Sequence, residues 1–229
     1  MKVKASLHLH SQEDPEDGRR INYSLYELID QAAKLDFKVL ASTCHLHNQC
    51  QKEHSDYAKE KGILLIPGAE IELNRKHLLI LNVTQEAEKI KTAEQLRAYK
   101  NSHPECLIIA PHPNHGLLSS LSLKKVRALK DVIDAVEHSW FYASFFNPNL
   151  QTEKLCAELG LPFIATADLH FLNYLNADYA IIDAAELSIA AVFEAIRQKK
   201  IKNISRPKGG WELFIDSLRM FVPGFNKIF

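Results

Sequence analysis

Short apolar runs alternate along most of the chain with stretches whose apolar residues recur at helical spacing, the arrangement of parallel strands joined by crossover helices. The runs fall at 3–9, 38–42, 63–73, 77–83, 106–111, 132–137 and 161–167, and seven strands of this kind predict a barrel. Ser24 and Glu27 form a capping box, and Leu28, Ile29, Ala32, Ala33 and Leu35 follow at helical spacing, so a helix is predicted over 25–36. Thr92 with Gln95 opens another to about residue 101, and Asn147 before Pro148 opens a third that ends at Gly160. Only Asn74-Arg75-Lys76 separates the third and fourth runs, which is too short for a crossover helix. That pair should be a hairpin, and the barrel irregular.

The pattern breaks at 203–210, where Ser205, Pro207, Gly209 and Gly210 cluster. Beyond the break Trp211, Phe214, Ile215, Leu218, Phe221, Val222 and Phe225 fall largely on one helical stripe, interrupted by Pro223-Gly224. The expected organisation is one barrel domain over 1–202 and an amphipathic extension over 203–229 that covers its own barrel or a partner subunit. A homo-oligomer through this segment is the alternative to packing within the chain.

Composition narrows the partners. No segment approaches the uninterrupted apolar run of about 20 residues that a membrane span needs. Lys plus Arg and Asp plus Glu are equal at 28 each, so the long-range field that draws proteins to nucleic acid or anionic lipid is absent. Met1-Lys2-Val3-Lys4 runs straight into strand-like sequence with no signal-peptide core or cleavage site, and the expected location is cytoplasmic. The four cysteines form no CxxC pair, so buried thiols are expected rather than a disulfide framework.

The unusual residue is histidine. His8, His10, His45, His47, His77, His112, His115 and His170 all lie at or beside the ends of apolar runs. His8-Leu9-His10 ends the first run, and side chains two apart on a strand share a face, so both imidazoles reach one ion. The second run ends in Thr43-Cys44-His45, the third reaches Pro67-Gly68-Ala69-Glu70, the fifth ends in His112-Pro113 and the seventh in Asp168-Leu169-His170. Parallel strands of a barrel end at one rim, so these side chains point to a metal centre there. Glu137-His138 ends the sixth run at the same rim and both should face the site, while Arg19-Arg20 is the nearest basic pair for a phosphate. His47 and His115 are expected beside the site rather than on a metal. The sequence has neither a GxSxG elbow nor a P-loop lysine motif, so no protein nucleophile is expected.

Taken in order, His8 to Ser11 (HxHS), Thr43 to His45, Pro67 to Glu70, His77, His112-Pro113 and Asp168 to His170 resemble the motifs of the polymerase and histidinol phosphatase (PHP) domain phosphoesterases, over residues 3 to about 200. The resemblance implies an α/β fold, a single-domain distorted TIM-like barrel of seven β/α units, and two or three divalent metal ions. His8, His10, Glu70 and Asp168 would hold the first ion. Glu70, bridging, would hold the second with His77 and His112. His45 and His170, with one acidic residue of the first loop, would hold the third. Imidazole and carboxylate together suit zinc, manganese or iron.

Two positions depart from the family pattern. Cys44 stands where family members usually carry an aspartate, and it is expected as a small buried side chain. The loop 11–18 is spaced differently, and Asp14, stiffened by Pro15, is the expected acidic ligand, with Asp17 next. The expected activity is hydrolysis of a small phosphomonoester, with Glu70 at the centre, a metal-bound water, His138 or His47 protonating the leaving group, and Arg19 on the phosphate. A phosphodiesterase acting on nucleotides or nucleic-acid ends, and a non-catalytic metal-binding module, are the alternatives.

Overall fold

A computed structural model of the chain describes residues 1–116 and 118–221. The first half carries β1 (Lys2–Leu9), α1 (Leu25–Lys34), β2 (Val39–Ser42), α2 (Lys52–Glu60), β3 (Leu64–Glu72), β4 (His77–Leu81) and α3 (Ala93–Ser102). The second half carries β5 (Leu107–Ala110), α4 (Leu123–Ala128), β6 (Ala135–His138), α5 (Asn149–Leu159) and β7 (Phe163–Ala165). It continues through β8 (Tyr179–Asp183), α6 (Ile189–Arg197), β9 (Ile201–Ile204) and α7 (Gly210–Phe221).

The local signals act where the sequence carries them. Ser24 and Glu27 cap α1 reciprocally, Thr92 and Gln95 do the same for α3, and Gly160 ends α5 in the left-handed region at φ 72°. The helix 149–159 begins one residue beyond Pro148, with Asn147 Oδ1 accepting from the Asn149 amide at 3.1 Å. β3 and β4 form the expected hairpin. Asn74 and Arg75 both take positive φ, at 51° and 61°, and the Leu73 and Lys76 backbones exchange two hydrogen bonds, which is the tight two-residue turn that matches strand twist.

The sheet has nine strands in the order β7-β6-β5-β4-β3-β2-β1-β8-β9, two more than the apolar runs predict. β1, β2, β3, β5, β6 and β7 run parallel, with β4 and β8 reversed. The extra strands lie between β1 and β7, and one side chain joins the sheet edges. Asn203 on β9 donates from Nδ2 to Phe163 O at 2.9 Å and accepts from the Ala165 amide at 2.8 Å, standing in for a backbone ladder. β9 thereby runs across the boundary expected at residue 202.

Three apolar layers hold the barrel. Inside it Ala5, Leu7, Val39, Ala41, Ile66, Leu79 and Ile109 pack together with Val192, Phe193 and Ile196 of α6. Outside, one layer joins β3–β6 to α3, α4 and α5, and another joins β1–β3 to α1 and α2. Each fully buried Leu, Ile or Phe contributes roughly 1.5–3 kcal/mol. No helix among the described residues is long and apolar enough to cross a membrane.

Candidate metal centre

The first strand sets up the site through an irregularity. Ala5 and Leu7 face the barrel interior, but Leu9 packs in the outer layer with α1. Between Ser6, opposite Leu40, and Leu9, opposite Ser42, β1 advances three residues while β2 advances two. This bulge inverts the facing, so His8 and His10 turn inward at the rim where strict alternation from Leu7 would turn them out. Gly68 is a second local requirement. A Cβ there would lie 2.9 Å from Ser42 O and 3.0 Å from Thr43 Cγ2, so only glycine lets β3 pass the end of β2 this closely.

Glu70, 1% exposed, stands at the centre with imidazoles on both of its oxygens. Oε2 lies 3.3 Å from His8 Nε2, 3.4 Å from His10 Nε2 and 3.2 Å from His45 Nε2. Oε1 lies 2.7 Å from His77 Nδ1 and 3.3 Å from His112 Nε2. His77 arrives because β4 is reversed, so its first residue lies at the rim where the parallel strands end. Asp168 Oδ1 stands 3.3 Å from His8 Nε2 and 3.5 Å from His10 Nε2. His170 stacks on one side of His10 at 4.5 Å and His45 on the other at 4.7 Å, and His170 Nε2 is 3.1 Å from Asp17 Oδ2.

The donor set fits divalent metal. Four ligand atoms placed about 2.0–2.2 Å from one ion in a tetrahedron are about 3.3–3.6 Å apart. His8 Nε2, His10 Nε2, Glu70 Oε2 and Asp168 Oδ1 have separations of 3.1–3.5 Å for five of their six pairs. On the other oxygen, His77 Nδ1 is in close contact with Glu70 but has no hydrogen-bond partner among the described residues, as two lone pairs sharing a cation would be. His112 and Asp168 both hold positive φ, 30° and 42°, a conformation that costs a non-glycine residue roughly 1–3 kcal/mol and clusters at functional sites.

Charge in the cluster is strongly coupled. Burial opposes ionisation of Glu70, yet His8, His77 and His112 hold its carboxyl well below the usual range, and His8 and His10 do the same for Asp168. Burial likewise opposes charging of His8, but Asp168, Glu70 and Glu137 raise it well above an ordinary imidazole. Against its burial, the hydrogen bond to Asp14 and the charge of Glu70 raise His45 to about 9. A histidine with a raised folded-state pKa adds stability that is complete below the unfolded value of about 6.5 and is lost as pH climbs through the folded value. The metal-stripped protein is therefore expected to melt progressively lower between pH 6.5 and 9. His115 and His138, lowered by burial, change stability only below that window. Melting that stays level or rises across the window would reject this charge pairing.

Two expected site residues, His138 and Arg19, lie off the cluster. Ala135 faces the interior and Val136 the outer layer, so Glu137 turns into the site and His138 turns away, its ring against Tyr142 and Phe163 at 5.2 Å. His138 is thus on the opposite face of β6 from the cluster, and only one of two consecutive strand residues can face it. Arg19 is exposed on the first loop, and its neighbour Arg20 lies 3.6 Å from Asp17. Cys44 is buried, contacts Ser11 Oγ at 3.6 Å and is held protonated by burial, which raises its pKa to about 12. His47 is half exposed and pairs with Glu88, and His115 is buried beside His112 with Nδ1 donating to Pro113 O. Asp14 sits behind His10 and His45 with both oxygens engaged. Of Glu137 and His138, both expected to face the site, only Glu137 does, 2.8 Å from His8 Nδ1.

No family model and no curated protein matches the sequence. Solved structures share its fold. A two-domain protein containing a predicted PHP-like metal-dependent phosphoesterase from Bacteroides vulgatus superposes with a TM-score of 0.68 and 16% identity over 90% of this chain. The lesion-specific endonuclease PfuEndoQ from Pyrococcus furiosus gives 0.64 and 15% over 89%, and an amidohydrolase from Chromobacterium violaceum gives 0.57 and 14% over 86%. The chain spans 65%, 58% and 97% of those proteins, respectively. The chain shares its fold with these proteins, among them one containing a predicted PHP-like metal-dependent phosphoesterase.

Proposed function

We propose that the chain is a metal-dependent phosphoesterase that hydrolyses a small phosphomonoester. The observation that carries the reading is Glu70, a single buried carboxylate with three imidazoles on one oxygen and two on the other. His8, His10, Glu70 and Asp168 would hold one ion, and Glu70, His77 and His112 a second. His45 and His170 would hold a third together with Asp17, the first-loop carboxylate that faces His170. Closely spaced divalent ions acidify water and polarise a phosphoryl oxygen, so no protein nucleophile is needed.

The chain's own residues bind and orient. His8, His10 and Glu70 are essentially inaccessible, while His77, Asp168 and His170 are 12–13% exposed. The equal numbers of basic and acidic residues favour a small substrate over nucleic acid. Arg20, 3.6 Å from Asp17, would meet the phosphate. The nucleic-acid chain end is the second substrate class, and the endonuclease with this fold is the observation that keeps it.

The test is hydrolysis of p-nitrophenyl phosphate, its bis-ester and a p-nitroanilide by the full chain loaded with manganese, zinc or iron. Metal-dependent turnover of the monoester well above the other two is expected. Turnover of the anilide alone, or of nothing, would sink the phosphoesterase reading, and preference for the bis-ester would move the substrate to a diester.

A further inference from the structure

Both histidines of the first strand are backed by a buried carboxylate from elsewhere in the fold. His8 Nδ1 lies 2.8 Å from Glu137 Oε2, and His10 Nδ1 lies 2.8 Å from Asp14 Oδ2, all four side chains being fully inaccessible. An ionised carboxylate only accepts, so in each pair Nδ1 carries a proton, and Nε2 is the ring nitrogen that can offer a lone pair to an ion. Those two Nε2 atoms face each other at 3.1 Å, beside Glu70 Oε2 and Asp168 Oδ1.

Asp14 has no capacity for a second task. Its Oδ2 accepts from His10 Nδ1, from the His45 amide at 2.9 Å and from His45 Nδ1 at 3.0 Å, while Oδ1 accepts from the Glu16 and Asp17 amides at 2.9 Å. A carboxylate offers about four lone-pair sites, and these donors fill them. Glu137 comes from the opposite wall, on β6, and reaches the site because it alternates with Val136.

We propose that Glu137 and Asp14 are positioning residues, each holding one first-strand histidine in the Nδ1-protonated tautomer so that both Nε2 atoms present lone pairs to one shared ion. Asp14 is then a support for His10 and His45 rather than a ligand. The inference rests on the reading of this cluster as a metal centre. It adds which atoms bind, which are protonated, and which carboxylates enforce that. A partner behind a metal-bound histidine typically supports metal affinity by about 10- to 100-fold.

The experiment is calorimetric titration of Mn²⁺ into the metal-stripped full chain at fixed pH, with melting of the metal-stripped form alongside. Glu137→Ala is expected to weaken the tightest site by about 100-fold and Glu137→Gln by about 10-fold, with the number of sites unchanged. Asp14→Asn should behave like Glu137→Gln. Glu137→Ala should cost nothing further when added to His8→Ala, because the support acts only through His8. Wild-type affinity in Glu137→Ala, or an equal loss with and without His8, would overturn the proposal. So would a fall in melting temperature with affinity intact, since that is a structural role alone. A wild-type chain that binds no Mn²⁺ or Zn²⁺ would instead remove the metal reading, and the positioning proposal with it. A long-range ¹H–¹⁵N correlation spectrum of the zinc-loaded wild type needs no variant. It should show the proton of His8 and His10 on Nδ1, and a proton on Nε2 of either would also overturn the proposal.

Discussion

Replacing Glu70 by glutamine is expected to remove two metal ions together and to lower hydrolysis far beyond the roughly 10- to 100-fold cost of losing an outer partner. The side chain is buried among five imidazole nitrogens at 2.7–3.4 Å, three on one oxygen and two on the other. Glutamine keeps the volume but removes the charge, and it turns one of those two positions into an NH₂ group that cannot bind a cation. Neither ion then retains its full donor set. Metal content per chain, measured by mass spectrometry after equilibration with excess manganese and desalting, decides the point. Loss of one ion with the other at full occupancy would reject the bridging role.

The second large effect concerns stability. Lys208→Met is expected to destabilise the protein by roughly 3–5 kcal/mol, the cost of breaking a buried ion pair from one side. Lys208 and Asp216 are 2% and 1% exposed, with Nζ 3.2 Å from the carboxylate, and Nζ lies over the rings of Tyr174 and Trp140 at 4.1 and 4.8 Å. Methionine preserves the bulk between the two rings but leaves Asp216 with Tyr174 Oη at 2.9 Å and Arg219 at 4.0 Å. At about 2–4 °C per kcal/mol for a chain of this size, the melting temperature should fall by roughly 10 °C in calorimetry. Pairing it with Asp216→Leu should recover most of the loss, because replacing both partners by apolar groups is close to neutral. Melting at the wild-type temperature in the single variant would show that α7 does not dock through this pair.

That ion pair also bears on which side of α7 meets the rest of the chain. The spacing of Trp211, Phe214, Ile215 and Leu218 suggests an apolar face turned to the barrel, yet Trp211 and Phe214 are 74% and 51% exposed. Among the helix residues whose burial is described, Leu213 and Asp216 are the buried ones. The docking surface offered by the barrel is polar and aromatic, made by Lys208, Tyr174 and Trp140, so a buried carboxylate outweighs the apolar periodicity. Val222 and Phe225 of the expected stripe lie outside the described residues.

Local sequence determined what depends on neighbours along the chain. The capping boxes at Ser24 and Thr92, the stop at Gly160 and the turn after Leu73 are each complete within a few residues, so they are legible without the fold. The ligand types at the strand ends are legible too, because parallel strands must deliver their C-terminal ends to one rim. What only the tertiary structure decided depends on register and on contacts between distant segments. The bulge in β1 that turns His8 and His10 inward is defined by pairing with β2. The choice of Glu137 over His138 follows from which face of β6 meets the interior. Asp14 meets His10 and His45 while Asp17 meets His170, a difference that spacing along the loop does not record. Asn203 closes the barrel through a side chain that no periodicity marks. A strand's period of two makes a one-residue change in register reverse every facing, and the sequence records that alternation without recording where the partner strand interrupts it.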